Sequence, residues 1–377
     1  MKTRAAVLDT IGLPAPYAQS RPLRIREVEL APPGAGEVLI RVRAAGLCHS
    51  DLSVVSGDRP RPVPMVLGHE SAAEVVECGA GVDDLRPGDR VVLVFMPSCG
   101  GCMPCMEGRP ALCEPGAASN GAGTLLSGQR RLSIDGVAIY HHVGVSCFAD
   151  HAVVSRRSCV KIDATEAELS HAEAALFGCA VLTGAGAVIN TARVQAGSSV
   201  AVLGLGGVGF SALLAAVASG ARELVAIDLN DDKLALAREL GATFTVNAGA
   251  ADAAEQVRAL TKGGVDYAFE MAGAIPAMEL AWRITRRGGS TVSAGLPHPD
   301  KRFALPPVQL VAEERTLRGS YIGSAVPARD IPRYIELYRR GKLPVDRLMG
   351  EQLGLDDINL GFDRLASGSA MRDVIVF

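Results

Sequence analysis

The feature that most constrains the fold is a glycine-rich turn between a short apolar strand and a helix of small residues. The strand is predicted over 198–203 and the helix over 210–219, and the turn reads Gly204-Leu205-Gly206-Gly207-Val208-Gly209. The next predicted strand, 223–227, ends at Asp228, an acidic residue about 20 positions on. Such glycines let a pyrophosphate approach the helix N-terminus, and the carboxylate accepts hydrogen bonds from the adenosine ribose.

This unit predicts a dinucleotide site, and NAD is preferred over NADP because a carboxylate at that position repels a 2′-phosphate. The alternative is a glycine-rich turn that binds nothing. Strands and helices keep alternating after it, which calls for a doubly wound parallel sheet in an α/β fold. Helices are predicted over 232–240, 253–261 and 275–286, and strands over 244–246, 265–270 and 290–294.

The N-terminal part has a different rhythm. Its apolar runs are short, rich in Val and Ile and separated by Pro and Gly, which is typical of a β-rich domain; they cover 5–8, 38–44, 73–78 and 90–95. At 377 residues the chain exceeds the size of one hydrophobic core, so we expect two domains.

The sequence contains four further local patterns. The stretch 120–142 is rich in Gly and Ser and is predicted to be irregular. Ser170 is a candidate N-cap with Glu173 three residues on, as in a capping box. An amphipathic helix is predicted over 330–340, and the strand-like end, 374–377, is expected to return to the first domain.

Two thiols and an imidazole form a candidate catalytic metal site. Cys48 opens the segment Cys48-His49-Ser50-Asp51, His69 precedes Glu70, and Cys179 lies far downstream. Two Cys and one His that leave a fourth position open are the ligand set of a catalytic zinc. Taken alone, Cys179 would be interpreted as a packed core thiol, since free Cys is among the most buried residue types.

A second cysteine cluster has the spacing C-x2-C-x2-C-x7-C in a loop rich in Gly and Pro. Its members are Cys99, Cys102, Cys105 and Cys113. Four thiolates can close a tetrahedral site, so we interpret the cluster as a structural zinc site. Free thiols and an iron–sulfur cluster are the alternatives, although the spacing is not that of a ferredoxin.

Composition excludes several classes of protein. The formal net charge is −3 and the cations are scattered, so no basic patch for nucleic acid is present. The apolar stretch 174–221 contains one charge, Arg193, but glycine clusters interrupt it, which suits a buried core better than membrane spans. The N-terminus shows no signal-peptide pattern, so we expect a cytoplasmic protein whose nine cysteines are ligands or free thiols.

Together these motifs resemble the zinc-dependent medium-chain alcohol dehydrogenases over essentially the whole chain. The longer segment after the cysteine cluster resembles the typically dimeric branch of that family. The resemblance implies a GroES-like catalytic domain over 1–181 and 323–377 and a Rossmann NAD-binding domain over 182–322. It further implies two zinc ions per chain, a homodimer, and a small alcohol or aldehyde as substrate.

The resemblance also implies individual roles. Asp51 would accept the second ring proton of His69, Glu70 would lie behind the metal, and Ser50 would adjoin the substrate alcohol. The expected cofactor and substrate contacts are His49 and Arg372 at the pyrophosphate, Thr183 and Val208 at the nicotinamide, Lys233 at the adenosine ribose, and Phe95 in the substrate pocket.

One position departs from the family pattern. Many relatives have a histidine where this chain has Ser53, and serine cannot take over its proton-accepting role near neutral pH. The relay would then end in water or at His49. Arg59 and Ala117 also differ from the acidic and basic residues by which the glutathione-dependent formaldehyde dehydrogenases hold their substrate. The activity of that branch is therefore the alternative and not the first prediction. A zinc-free quinone or enoyl reductase and a non-catalytic redox or zinc-storage protein built around the second cysteine cluster are further alternatives.

Overall fold

The computed structural model describes residues 1–368 and 371–377; residues 369–370, in the range predicted for the first domain, lie outside the description. The chain divides into two compact units. Unit 1 contains Met1–Cys179, Val326–Ile335 and Asp346–Phe377, and unit 2 contains Ala180–Ala325 and Glu336–Val345. The first boundary thus lies two residues before the expected one, and the segment 336–345 groups with unit 2.

Through Cys179 the chain is mainly β-structure. The strands are β1 (Lys2–Leu8), β2 (Leu23–Leu30), β3 (Glu37–Gly46), β4 (Met65–Val66), β5 (Ser71–Cys78), β6 (Arg90–Leu93), β7 (Leu132–Ile134), β8 (Val137–Ala138), β9 (Tyr140–His141), β10 (His151–Ser155) and β11 (Cys159–Lys161). The helices are α1 (Tyr17–Ser20), α2 (His49–Val55), α3 (Met103–Met106), α4 (Glu114–Ala122) and α5 (His171–Leu176).

After Cys179 strands and helices alternate. The strands are β12 (Ser199–Leu203), β13 (Glu223–Asp228), β14 (Phe244–Asn247), β15 (Val265–Glu270), β16 (Thr285–Ser293), β17 (Thr316–Gly319), β18 (Gln352–Leu353) and β19 (Val374–Val376). The helices are α6 (Ala180–Gly186), α7 (Gly207–Ala218), α8 (Asp231–Glu239), α9 (Ala253–Leu260), α10 (Ile275–Ile284), α11 (Pro307–Ala312), α12 (Pro327–Arg339) and α13 (Ile358–Ala366). A π-helical turn, Ala187–Ala192, follows α6, and 3₁₀ turns lie at Pro110–Leu112, Arg156–Ser158, Ile322–Ser324, Val345–Leu348 and Leu355–Asp357.

Unit 1 is built on two sheets. One has the strand order β8-β7-β2-β1-β4-β9; the other has the order β11-β6-β5-β3-β19-β18, with β10 also paired to β3. The last strand, β19, runs antiparallel to β3, with Val374 opposite Gly46, so the end of the chain returns to the unit in which it began. The core of the unit contains large side chains without solvent exposure, such as Phe148 and Phe362, whose rings meet edge to face.

The prediction of irregular structure over 120–142 holds for 123–131 but is wrong for most of the rest of the segment. The segment contains the end of α4 and the short strands β7, β8 and β9. Leu132 in β7 pairs with Leu30, about a hundred residues earlier, and β9 pairs with β4. Pairing with distant strands therefore fixes a stretch whose own composition favours turns.

Unit 2 has the parallel sheet that the sequence predicts. Its order is β14-β13-β12-β15-β16-β17, and every neighbouring pair in it is parallel. This is the doubly wound arrangement of dinucleotide-binding domains, in which the order reverses between β12 and β15 and ligands bind at the carboxyl ends of the strands. The glycine-rich turn lies at the carboxyl end of β12.

Helix ends follow local chemistry. At α5 the Ser170 hydroxyl accepts the Glu173 N–H, and the Glu173 carboxylate accepts the Ser170 N–H, which confirms the predicted capping box. The predicted helix 275–286 stops two residues early, at Ile284, because Thr285 begins β16. Among residues 1–368 and 371–377, no helix is long and apolar enough to cross a membrane.

Candidate active site

The three candidate ligands of a catalytic metal meet in unit 1. Cys48 follows β3 and caps α2, His69 lies on the connection from β4 to β5, and Cys179 comes just before α6. Their ligand atoms all lie within 4.8 Å of one another, and all three side chains are buried. Residues 131 positions apart in sequence are thus brought to one point by the strand connections.

This cluster fits zinc. Zn–S bonds of about 2.3 Å in a tetrahedron require ligand atoms about 3.5–4 Å apart, and the observed grouping satisfies this with small adjustments. In the described part of the chain the group has three members, so a tetrahedral ion here would keep one position for a substrate oxygen or water. That is the coordination of a catalytic zinc and not of a structural one.

The electrostatics of the cluster favour metal binding. A hydrogen bond from Cys179 lowers the pKa of the Cys48 thiol well below its ordinary value, and the charges of Arg372 and His69 lower it further. The same hydrogen bond raises the pKa of Cys179. A divalent ion bound here would require both side chains as thiolates, since metal ligands must be deprotonated.

Asp51 orients the imidazole of His69. One oxygen of its fully buried carboxylate lies 3.1 Å from His69 Nδ1 and accepts the Gly68 N–H at 3.0 Å. Burial would raise the pKa of Asp51, but the imidazoles of His69 and His142 outweigh it and lower the pKa to about 2. The carboxylate is therefore ionised, and it directs Nε2 of His69 toward the sulfurs.

His142 also belongs to this group of buried residues, and no role is predicted for it from the sequence. Its Nδ1 lies 3.1 Å from Asp51, and its ring lies edge to face with that of His69 at 5.5 Å between centroids. Burial lowers the pKa of His142, so it is a neutral imidazole at pH 7. No spacing rule marks it, because it reaches Asp51 only through the turn that follows β9.

Glu70 and Arg372 form a buried ion pair beside the cluster. Arg372 Nε donates to Glu70 Oε1 at 3.0 Å, and its Nη2 pairs with Oε2. Burial raises the pKa of Glu70 although Arg372 opposes this, and Glu70, Cys48 and Cys179 together raise the pKa of Arg372 well above its ordinary value despite burial. Glu70 thus lies beside the cluster, and Arg372, which the sequence places at the cofactor pyrophosphate, is buried against Glu70.

The remaining residues around the opening segment are more exposed. His49 is exposed and Ser50 half-buried at the first turn of α2. The Ser53 hydroxyl donates to the backbone oxygen of His49 at 2.8 Å, so its proton is engaged within the helix. Phe95, partly exposed, lies edge to face with His69 at 5.3 Å between ring centroids.

The second cysteine cluster also comes together. Cys99, Cys102, Cys105 and Cys113 have their sulfurs within 4.8 Å of one another, and Cys102 and Cys113 are 4.0 Å apart. The N–H groups of Gly101 and Cys102 donate to Cys99 Sγ and lower its pKa to about 6, whereas burial raises the pKa of Cys105 to about 12. Four sulfurs in this arrangement fit a closed tetrahedral zinc site.

In unit 2 the glycine-rich turn leaves no room for side chains at two of its glycines. Gly204 has φ +87°, and a Cβ on Gly209 would lie 1.8 Å from the Gly204 carbonyl oxygen, so neither position tolerates a side chain. Asp228 accepts the Leu205 N–H at 2.6 Å and the Asn230 N–H at 2.9 Å. Each carboxylate oxygen keeps a lone pair for a ribose hydroxyl.

The other expected cofactor contacts lie on neighbouring helices of unit 2. Thr183 is in α6 and Val208 in α7, and a Cβ on Gly184 would lie 2.1 Å from the Val208 carbonyl oxygen, so the two helices pack at close range. Lys233 is half-buried in the first turn of α8, where its N–H is capped by Asn230. Gly206 and Gly207 begin α7.

Comparison with known proteins places these features in a family. The alcohol dehydrogenase GroES-like domain matches residues 34–164, and the zinc-binding dehydrogenase family matches residues 207–340. S-(hydroxymethyl)glutathione dehydrogenases of Paracoccus denitrificans and Synechocystis sp. are 36% and 37% identical, each over the full length of both chains. Benzyl alcohol dehydrogenase of Acinetobacter calcoaceticus is 30% identical with a TM-score of 0.91, covering 100% of this chain and 99% of that one.

Proposed function

Since the chain belongs to the zinc-dependent medium-chain alcohol dehydrogenases, we propose that it transfers hydride reversibly between a primary alcohol or its aldehyde and NAD. The observation that carries this proposal is the buried group Cys48, His69 and Cys179, whose ligand atoms lie within 4.8 Å and leave one tetrahedral position open. The glycine-rich turn with Asp228 supports NAD as the cofactor.

The chain's own residues supply orientation and proton transfer. Cys48, His69 and Cys179 would hold a zinc ion, which as a Lewis acid makes the substrate hydroxyl easier to deprotonate at neutral pH. Asp51 would fix the ring of His69, and the imidazoles of His69 and His142 stabilise its buried charge. Ser50 would accept the substrate proton and release it to solvent, because the Ser53 hydroxyl is engaged with the helix backbone.

An aromatic or allylic primary alcohol is the substrate class we favour. Phe95 presents a partly exposed ring directly beside His69, and aromatic rings pair favourably edge to face or offset. Asn120 Nδ2 donates to the Phe95 carbonyl oxygen at 2.7 Å and holds this segment in place. The similarity to a benzyl alcohol dehydrogenase points in the same direction.

The second candidate substrate is S-(hydroxymethyl)glutathione. The full-length similarity to dehydrogenases of that name favours it. Against it, Arg59 and Ala117 replace the charged residues expected to hold the tripeptide, and Ala117 is exposed without a charge to offer. A comparison of kcat/KM for the two substrates therefore separates the candidates.

The test is the growth of reduced-nicotinamide absorbance with NAD and either benzyl alcohol, allyl alcohol, ethanol or formaldehyde with glutathione. We expect the highest kcat/KM with benzyl or allyl alcohol, and a Phe95→Ala variant to lose more activity toward benzyl alcohol than toward ethanol. Two zinc ions per chain would exclude a zinc-free quinone or enoyl reductase. Metal-loaded protein that reduces no NAD with any of these substrates would contradict the proposal and favour zinc storage.

A homodimer is part of the proposal. Strand β17 is one of the two edge strands of the unit 2 sheet, and all four of its residues are exposed. Such an edge is a template for pairing with another chain. Leu317 in this strand and Val308 and Val311 in α11 are exposed apolar side chains. We expect Leu317→Lys to shift the mass by light scattering toward a monomer, and Leu360→Lys, an exposed leucine in α13, to leave it unchanged.

The cytoplasm is the compartment we propose. All nine cysteines are unpaired, and thiolate ligands require reduced thiols.

A further inference from the structure

A strongly basic cavity lies at the amino ends of the unit 2 strands, and the dinucleotide motif lies at their carboxyl ends. The cavity has a volume of about 800 Å³ and is lined where the strands begin: Ser199 opens β12, Arg286 lies at the start of β16, and Arg315 immediately precedes β17. The glycine-rich turn and Asp228 are at the other ends of β12 and β13. Since β12 has five residues, its two ends are separated by about 17 Å.

The charge of this basic cavity contrasts with that of the whole protein. Its two anionic lining residues are Asp266 and Glu313, whereas its cationic ones are Arg222, Arg258, Lys262, Arg286, Arg287 and Arg315. The lining thus has a net charge of +4 in a chain of net charge −3. No aromatic side chain lines it, so nothing is available to stack a nucleotide base.

Contacts within the protein use only some of the N–H donors of the arginines that line the cavity. Arg258, Arg287 and Arg315 each donate to a backbone carbonyl near the end of α10 or α11, which is the ordinary role of cations at helix C-termini. Arg286 is paired with Asp266. Arg286 also donates to the Arg287 carbonyl oxygen. A guanidinium has five N–H donors, so two or three contacts leave at least two donors unused.

Two cations are not explained by such pairing. Lys262 is exposed in the turn after α9 and forms no ion pair with any residue of the described ranges. Arg222 has a side chain that is 65% exposed and reaches Glu223 only at 3.4 Å. Both have their charge available toward the cavity.

Arg315 is the most buried cation of the lining. Its side chain is only 8% exposed and it pairs with Glu313, yet its buried Nε has no hydrogen-bond acceptor among the described residues. Glu313 and the Trp282 carbonyl oxygen hold its guanidinium in place. Arg315 therefore contributes a fixed positive charge to the wall of the cavity.

We propose that the basic cavity is a binding site for a small molecule with two or more phosphate groups, separate from the dinucleotide site. Two phosphate dianions would neutralise the net charge of the lining, and the planar fork of arginine matches phosphate oxygens. This site does not depend on the proposed catalytic activity, because its residues lie at the amino ends of the strands and the dinucleotide motif lies at the carboxyl ends.

Isothermal titration calorimetry of the full zinc-loaded chain with fructose 1,6-bisphosphate tests the proposal. We expect saturable binding of about one molecule per chain, unchanged by excess NAD and weakened by salt. Fructose 6-phosphate, which has one phosphate, should bind with a dissociation constant at least about tenfold higher than that of the bisphosphate. Displacement by NAD would place the anion at the dinucleotide site and overturn the proposal, as would the absence of saturable binding.

Matched double variants locate the site. The variant R222A/K262A removes two exposed cations of the cavity and should weaken binding of the bisphosphate by about tenfold or more. The control R340A/K342A removes one exposed arginine and one exposed lysine of the same unit that do not line the cavity, and it should bind like the wild type. Equal effects of the two variants, or no effect of the first, would refute the assignment.

Discussion

Replacing Asp228 tests how the cofactor is selected. In unit 2 this carboxylate accepts the Leu205 N–H at 2.6 Å and the Asn230 N–H at 2.9 Å, with lone pairs left for the adenosine ribose. A hydrogen bond to a charged acceptor contributes about 1.5–3 kcal/mol, so Asp228→Ala should raise KM for NAD by about 10- to 150-fold. KM for NADP should not rise in parallel, because repulsion of the 2′-phosphate disappears with the carboxylate. The ratio of kcat/KM for NAD to that for NADP, measured with one alcohol, should fall at least about tenfold.

The control for this experiment is Asp228→Asn. The amide keeps one acceptor oxygen for the turn but has no charge, so the variant should relax cofactor choice with a smaller loss of thermal stability than Asp228→Ala. The alanine variant also strands the Leu205 N–H inside the glycine-rich turn, and an unsatisfied donor costs about 1–3 kcal/mol where it is shielded from water. An NAD-to-NADP ratio that stays at the wild-type value in both variants would refute the role of Asp228 at the ribose.

Three further predictions concern unit 1. Cys48→Ser should abolish turnover with little change in Tm, whereas Cys102→Ser should lower Tm; equal losses of Tm would contradict separate catalytic and structural zinc sites. Glu70→Gln and Arg372→Met should each cost about 3–5 kcal/mol of stability by leaving one buried charge unpaired, and the double variant should cost clearly less than their sum in denaturant unfolding. Burial lowers the pKa of His141 to about 4, whereas an unfolded histidine has a pKa of about 6.5. Between these two pH values the unfolded state binds the proton more readily, so the free energy of unfolding should fall by up to about 3 kcal/mol as the pH is lowered. His141→Gln should make the free energy of unfolding less dependent on pH in this range.

Local chemistry explains what the sequence predicts well. The glycine-rich turn is recognisable because its backbone conformation and the close approach of Gly209 to Gly204 admit no side chain. The capping box at Ser170 is recognisable because both partners lie within one helical turn. The two cysteine clusters are recognisable as candidate metal sites because few other roles suit their combination of residue types. Cys179 is interpreted as a ligand only because Cys48 and His69 are also present.

Interactions between distant segments explain what the sequence does not predict. Strand β7 forms in a Gly- and Ser-rich stretch because β2 offers it an edge, and nothing within 120–142 announces that partner. Glu70 and Arg372 are separated by 302 positions, and the sequence could suggest a role for each without revealing that they face each other. The basic cavity is a further case, since its cations come from several strand ends and are scattered when read along the chain.

The charges around the candidate zinc site show why these distant partners matter. With a zinc ion bound, its two positive charges would balance the thiolates of Cys48 and Cys179, and His69 would be neutral. Asp51 and Glu70 would then leave two negative charges in a region without solvent, where uncompensated charge is costly. Arg372 removes one of them by pairing with Glu70, and the Gly68 N–H and two imidazoles stabilise the other on Asp51. The ion pair and His142 therefore follow from the same requirement as the metal ligands: each keeps a charged catalytic centre tolerable inside an apolar core.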